Sequence, residues 1–226
     1  MNPLRAIRQI LFPETCVLCG EPLTHGEETL CHRCIQELPF TGFPFSADNP
    51  AARALASKTD IHKATALLFY QKNGISGRLI HKLKYHHHPS VGKRLADFTA
   101  PLLRDQGVEF IVPVPLHPKK LRKRGYNQVE HFGRQLARLI HAEYRPSWVR
   151  KKANTASQTT KSPLERWQNV IDGFEVNRRR LQSGHILVVD DVLTTGATLA
   201  AVIIRLRQAL PEARISAATM AFNAYM

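Results

Sequence analysis

The chain has 226 residues, 43% of them hydrophobic and 22% charged, which suits one α/β domain with a small appendage. It carries 32 Lys and Arg against 18 Asp and Glu, a formal charge of +14 with a pI near 10.1. This excess favours anionic partners such as pyrophosphate, nucleotides or nucleic acid without choosing among them, and a merely solvated basic surface is the alternative.

At the N-terminus, Leu4, Ile7, Ile10 and Leu11 are interrupted by Arg5, Arg8 and Gln9 and closed by Pro13, a poor export signal. No run of 18 apolar residues follows, so no membrane insertion and a cytoplasmic location are expected. In that reducing compartment Cys16, Cys19, Cys31 and Cys34 are not expected to form structural disulfides. They stand as C-x2-C, eleven residues, C-x2-C, two knuckles that each present a pair of sulfurs to one tetrahedral Zn(II). Four thiolates leave no open coordination position, so the zinc is structural. His25 and His32 read as solvated neighbours.

The stretch from Phe40 to Asp60, with Gly42, Pro44 and Pro50, reads as a junction. It divides a zinc-ribbon-like module, residues 1–50, from a larger domain, residues 51–226. Ala64 to Tyr70 is expected as a strand, Ile75 to Tyr85 as a helix with Leu79, Ile80 and Leu83 inward, and Val91 to Arg104 as another helix. Between them His86, His87 and His88 form a solvated loop before Pro89. Glu109 to Val114 is a second strand, and its exit, Pro115 to Asn127, reads as a loop stiffened by prolines and crowded by Lys119, Lys120, Arg122, Lys123 and Arg124. The next helix places Val129, Phe132, Leu136 and Ile140 on one face, and Arg214 to Phe222 supplies a last strand. Strands alternating with helices point to a parallel sheet flanked by helices.

Before that last strand comes the most specific feature. The apolar run Ile186, Leu187, Val188, Val189 leads into Asp190 and Asp191, then Val192, Leu193, Thr194, Thr195, Gly196, Ala197 and Thr198, and a helix from Ala197 to Leu210. A turn between buried strand and helix presents the amides of Thr195, Gly196, Ala197 and Thr198, with the helix dipole, to a phosphate. Two acceptor-only carboxylates at the strand's carboxyl end suit ribose hydroxyls. The chain has no GxxxxGK[ST] and no GxGxxG, so neither a P-loop nor a dinucleotide fingerprint competes.

This run resembles the 5-phosphoribosyl-1-pyrophosphate (PRPP) signature of type I phosphoribosyltransferases. The resemblance makes Asp190 and Asp191 the catalytic pair that holds the ribose hydroxyls. It makes Val192 to Thr198 the PRPP-binding segment, with Thr194 to Thr198 on the 5-phosphate. With the paired-cysteine knuckle, Leu83-Lys84-Tyr85, the V-P-V-P strand with R-G-Y-N-Q, and the segment through Ser157, Gln158, Thr159, Arg166 and Asn169, the order of blocks resembles the ComF family of competence-related proteins. The family implies a type I phosphoribosyltransferase-like fold with an N-terminal zinc module. It also implies a pyrophosphate loop (Pro115, Leu116, His117, Lys119, Lys120, Arg122, Lys123, Arg124) toward which Lys84 points, and a mobile loop from Arg150 to Asn169 containing Gln158 and Arg166. Mg(II) arriving with PRPP and binding to single-stranded DNA are implied likewise. Thr194 stands where 6-oxopurine enzymes carry an aspartate, which disfavours that acceptor and leaves the acceptor open. Three readings share these motifs: a Mg-dependent phosphoribosyltransferase linked to DNA uptake, a non-catalytic DNA-binding accessory that senses PRPP, and a PRPP-dependent regulator of transcription.

Overall fold

The computed structural model describes residues 14–85, 88–153 and 162–224. Its strands are β1 (Ala64–Phe69), β2 (Phe110–Pro113), β3 (Glu143–Tyr144), β4 (Val149–Lys151), β5 (Phe174–Val176), β6 (His185–Leu193) and β7 (Arg214–Phe222). Five of them form one parallel sheet in the order β1-β7-β6-β2-β3, while β4 and β5 pair antiparallel apart from it. The helices are α1 (His32–Gln36), α2 (Pro50–Ala56), α3 (Ile75–Tyr85), α4 (Pro89–Leu103), α5 (Pro118–Arg124), α6 (Glu130–Leu139), α7 (Pro163–Asp172) and α8 (Ala197–Ala209). Among the described residues no helix is long and apolar enough to cross a membrane.

The central strands read as unbroken apolar runs because helices cover both faces of the sheet. Alternation along each strand divides the interior in two. Leu187 and Val189 of β6, with Ala218 and Met220 of β7, share a core with Leu79, Ile80 and Leu83 of α3, Leu95 of α4 and Phe132 and Leu136 of α6. Ile186, Val188, Ile215 and Ala217 point the other way, into the core that holds Leu199, Val202, Ile203 and Leu206 of α8. Each such burial contributes about 1.5–3 kcal/mol, so the sheet and the helix that starts at the phosphate turn are held as one rigid unit.

The junction before α2 is more ordered than its Gly and Pro content suggests. Residues 39–46 run antiparallel to β1, with Thr41 donating to the Leu67 carbonyl (2.9 Å), Phe69 to that of Pro39 (2.8 Å) and Ala64 to that of Ser46 (3.0 Å). They thus cover the edge of β1, which would otherwise be an unpaired template. Buried Asn49 locks the arrangement: its Oδ1 accepts the Ala52 amide (3.0 Å) and caps α2, while its Nδ2 donates to the carbonyls of Ala64 (2.7 Å) and Pro44 (2.9 Å). The cysteine segment is packed down as well, since Cys16, Leu30, Cys31, Cys34 and Leu38 are buried in the same core as α3 and α4.

At the opposite end of the strands from the Asp pair, His185 is buried between the Gln106 carbonyl (Nδ1, 3.1 Å) and the Ser216 hydroxyl (Nε2, 2.8 Å). A carbonyl only accepts, so Nδ1 carries the proton and the neutral ring takes the Ser216 hydroxyl at Nε2. Burial pushes the His185 ring below its ordinary pKa of 6.5, against the pull of the Gln106 carbonyl. A folded pKa below the unfolded one means that the unfolded chain binds the extra proton on acidification. The stabilisation is therefore present above the unfolded value and is lost as pH falls through it. The melting temperature of the wild type should fall more steeply between about pH 7.5 and 5.5 than that of His185→Gln. Parallel pH profiles for the two proteins would show that this site contributes nothing.

Candidate functional site

The site grows from the carboxyl end of β6. The strand continues through both aspartates to Leu193, with Asp190 opposite Thr219 and Val192 opposite Ala221 of β7. Strand alternation sends the two carboxylates to opposite sides. Asp190 lines a cleft of about 40 Å3 with Thr194, Thr195, Gly196, Ala197, Thr198 and Thr219. Val192 and Leu193 also line it, and Leu193 is buried, so these two offer the cleft only main-chain polar groups. Burial, and next the charge of Asp191, raises the Asp190 carboxyl well above the usual carboxylate range, with Lys84 and Lys151 pulling it partway back.

Asp191 is buried on the α3 side, where its Oδ2 meets Lys84 Nζ at 2.8 Å and accepts Gln128 Nε2 at 3.0 Å. Its Oδ1 accepts the Val192 amide (2.7 Å), and the Asp191 amide donates to Asp190 Oδ1 (2.8 Å). These three donors fix the buried carboxylate in place.

The turn that follows closes onto α8. Gly196, at the helix N-cap, has φ +73°, a left-handed conformation, and a Cβ there would lie 3.3 Å from Leu55 Cδ2. The first-turn amides of α8 have no acceptor within the helix and open toward the cleft, where threonine hydroxyls add donors. Gly196→Ala should lower folding stability by about 1 kcal/mol through the left-handed backbone and disturb the turn. Chemical denaturation checks the first effect, and an unchanged midpoint would show that the turn relaxes without strain.

The exit of β2 departs from the expected loop: Pro118–Arg124 is the helix α5. The reason is local. His117 Nδ1 accepts the Lys119 amide (3.2 Å), Pro118 occupies the first turn, the following Lys, Leu and Arg residues favour helix, and Gly125 ends it at φ +78°. His117 Nε2 donates to the Ala153 carbonyl (3.0 Å), so both ring nitrogens are committed to structure. Helical spacing sorts the cations. Lys120, Lys123 and Arg124 line a cleft of about 410 Å3 with Lys84 and Tyr85, which Lys119 and Arg122 do not line. Pro115 and Leu116 line a different cleft, of about 300 Å3, together with Tyr144, Val149 and Lys151.

The R-G-Y-N-Q block is the brace behind these clefts. After Gly125, the Tyr126 hydroxyl donates to the Leu83 carbonyl at the end of α3. Asn127 Nδ2 donates to the Val114 carbonyl (3.0 Å) while its Oδ1 accepts the Val129 amide (3.2 Å), and Gln128 reaches Asp191.

Three residues here escaped the sequence reading. Gln128 was visible as part of the block but without a role. Lys151 of β4 stands within charge range of Asp190 and Lys120, and burial, then Lys120, holds its ammonium below the ordinary range. Thr219 comes from β7, and only the register with β6 could have revealed it. The Arg150–Asn169 segment is partly regular: β4 includes Arg150, and Arg166 and Asn169 lie on α7, which opens with a Ser162/Glu165 capping box. Gln158, with Ser157 and Thr159, lies outside the described residues, as do His86 and His87.

The four cysteines form a second centre. Their Sγ atoms all lie within 4.8 Å of one another, and Cys19 and Cys31 are 3.7 Å apart. A tetrahedron with Zn–S bonds of about 2.3 Å has S–S edges of about 3.8 Å, so the Cys19–Cys31 spacing already matches Zn(II) and the wider separations need only a small closure. The amides of Leu18 and Cys19 donate toward Cys16 Sγ, and that of Cys34 toward Cys31 Sγ, as thiolate ligands require. Glu27 ties the connecting segment by accepting the Thr24 amide (2.7 Å) and hydroxyl (2.9 Å) and the His32 amide (2.6 Å), chiefly the first of which pulls its carboxyl down to about 2. His32 Nδ1 faces Glu27, not the sulfurs.

Residues 7–45 match the family model described as a double zinc ribbon domain. The chain is 27% identical over 206 residues to the DNA utilization protein YhgH of Escherichia coli (strain K12), covering 84% of this chain and 89% of that one. It is 34% identical over 93 residues to Competence protein F of Haemophilus influenzae, 40% of this chain and 41% of that protein. Among solved structures, the adenine phosphoribosyltransferase of Saccharomyces cerevisiae is similar at 19% identity over 60% of this chain and 72% of that one, with a TM-score of 0.37. That of Leishmania donovani is 13% identical over 80% and 73%, with a TM-score of 0.39.

Proposed function

Because this chain belongs to the ComF family, and is a phosphoribosyltransferase-like parallel sheet joined to a zinc ribbon, we propose that it binds PRPP and transfers its phosphoribosyl group with release of pyrophosphate. The observation that carries this reading is the strand β6, which ends in Asp190, Asp191 and a phosphate-type turn while Lys84 of α3, Gln128 of the turn before α6 and Lys151 of β4 converge on the carboxylates. The α8 amides and Thr194, Thr195 and Thr198 hold the 5-phosphate. Asp190 accepts ribose hydroxyls directly, while Asp191 fixes Lys84. The cations of Lys84, Lys120 and Lys151 favour the charge that develops on the departing pyrophosphate as the acceptor attacks C1. Mg(II), entering on PRPP and held with Asp190 at hand, would supply further neutralisation of the pyrophosphate oxygens.

The test is calorimetry with PRPP and Mg(II), followed by a pyrophosphate-release assay over a panel of acceptors. Binding without release under any acceptor turns the reading toward a PRPP sensor. No binding at millimolar PRPP removes it.

A second reading is favoured by the outward cations of α5 and by the relatives' names, which speak of DNA utilization and competence. On it, Lys119 and Arg122, together with Lys120 and Lys123, hold the backbone of single-stranded DNA. Replacing all four with Ala should weaken binding and flatten its dependence on salt, by about 0.7 in log–log slope for each phosphate no longer neutralised. An unchanged slope would place DNA elsewhere on the chain.

A further inference from the structure

A separate groove runs along α3 beside the turn that follows β1. Its volume is about 500 Å3, and Lys72, Arg78, Lys82 and Lys84 line it without a carboxylate among its lining residues. The lack of acid belongs to the whole stretch: no Asp or Glu stands between Asp60 and Asp97. Arg78 and Lys82 lie four residues apart on one helix and repel each other, and neither they nor Lys72 pair with a carboxylate among the described residues. An anion in the groove relieves that repulsion.

The groove is also pre-formed. Gly77 sits inside α3, where glycine weakens a helix, because a Cβ there would run into the carbonyl oxygens of Gln71 and Lys72. Next to it the buried Ser76 hydroxyl accepts the Gln71 amide at 3.0 Å. The turn is thus seated directly on the helix, which fixes Lys72 and Asn73 at the groove. Buried Gly77 and Ile80, with half-buried Tyr70, give it an apolar lining. His81 and Tyr85, their rings 4.8 Å apart and tilted by 41°, add an aromatic wall. Cations alone would serve a bare phosphate, whereas cations beside an apolar floor and an aromatic wall suit a base that carries phosphates.

We infer that this groove binds a nucleoside polyphosphate and that its occupant antagonises PRPP. Lys72, Arg78 and Lys82 hold the phosphates, His81 and Tyr85 flank the base, and the Asn73 amide meets its polar edge. The α5 cations take no part, since only Lys84 and Tyr85 line both this groove and the cleft toward α5. The antagonism comes from Lys84. Its ammonium lines the groove and pairs with Asp191 at 2.8 Å, and two polyanions that draw on one ammonium weaken each other's binding by the same factor. The groove stands without the transferase reading; the antagonism rests on the PRPP binding proposed above.

ATP, adenosine and inorganic triphosphate are the probes, titrated by calorimetry into the full chain at constant free Mg(II). ATP is expected to bind at least about tenfold more tightly than adenosine or triphosphate, each of which leaves part of the groove unused. Arg78→Ala and Lys82→Ala should each weaken ATP and triphosphate by about fivefold. Tyr85→Ala should bring ATP down toward triphosphate while triphosphate binds as it does to the wild type. Thr195→Val, in the phosphate turn, should leave ATP binding unchanged. Saturating ATP should lower the affinity for PRPP by at least about fivefold, an effect that Arg78→Ala largely removes. No ATP binding at millimolar concentration overturns the site, and so does triphosphate that binds as well as ATP. A loss on Thr195→Val in place of Arg78→Ala puts the nucleotide in the PRPP cleft and overturns it too. A single-stranded oligonucleotide that binds through Arg78 and Lys82 while ATP does not overturns it in favour of nucleic acid. ATP binding that leaves PRPP affinity untouched overturns the antagonism. PRPP affinity without ATP is measured first, so a failure of the PRPP reading is seen by itself, and the ATP titrations still judge the groove.

Discussion

Removal of zinc should destabilise the whole chain, not the N-terminal segment alone, by on the order of 5 kcal/mol or more. Four thiols packed within 4.8 Å, three of them buried, have no favourable state without the ion: ionised they repel one another, and protonated they lose the amide donors aimed at them. Leu30 and Leu38 lie in the same core as Leu79 and Leu83 of α3, so loosening the knuckles exposes apolar surface beneath the helix that presents Lys84. Purified protein should hold one zinc per chain, because the four cysteines of the sequence complete one site and leave none for a second of the same kind, despite the double ribbon of the matching family model. Cys34→Ser should release the metal and lower the melting temperature in a single transition. Elemental analysis with calorimetry decides it, and a chain that stays as stable after chelation as before would refute the structural role.

The parallel sheet was legible because its central strands are buried on both faces and write themselves as β-branched runs; Arg214–Phe222 and Ile75–Tyr85 fall where periodicity places them. The helices that were missed had local signals that were outweighed. Asn49-Pro50 before an alanine-rich stretch is an N-cap and first-turn pair, yet it sits in a segment rich enough in Pro and Gly to read as a junction. In the same way Pro118 and Gly125 bracket α5, but the density of charge between them reads as a loop.

The pairing of β4 with β5 was beyond local pattern altogether. Val149 lies opposite Val176, and no periodicity connects two three-residue strands so far apart in the chain. The site divides along the same line. Asp190, Asp191 and the phosphate turn follow one another in sequence and could be read as a unit. The partners of Asp191 could not, since Lys84 stands at the end of α3 and Gln128 just before α6, and only the packing of both helices on one face of β6 brings their side chains to one carboxylate.

That difference in partners separates the two aspartates experimentally. A carboxylate has roughly four acceptor sites. Asp191 uses its own on Lys84, Gln128 and the Val192 amide, whereas Asp190 accepts the Asp191 amide and faces the cleft. Asp190→Asn should weaken PRPP binding by about 1.5–3 kcal/mol, toward the low end because the amide oxygen still accepts, with little change in folding stability. Asp191→Asn should show a loss of similar size in PRPP affinity but by another route. It leaves the Lys84 ammonium, whose side chain is only 24% exposed, without its counter-charge, so folding stability falls with it. Adding Lys84→Met to Asp191→Asn should then recover stability without recovering PRPP, as the unpaired charge is gone and the cation for pyrophosphate with it. Calorimetry and thermal denaturation on the four proteins give the answer. Equal stability of Asp190→Asn and Asp191→Asn would mean that the Lys84 pair has no structural weight, and undiminished PRPP affinity in both would place the ribose elsewhere.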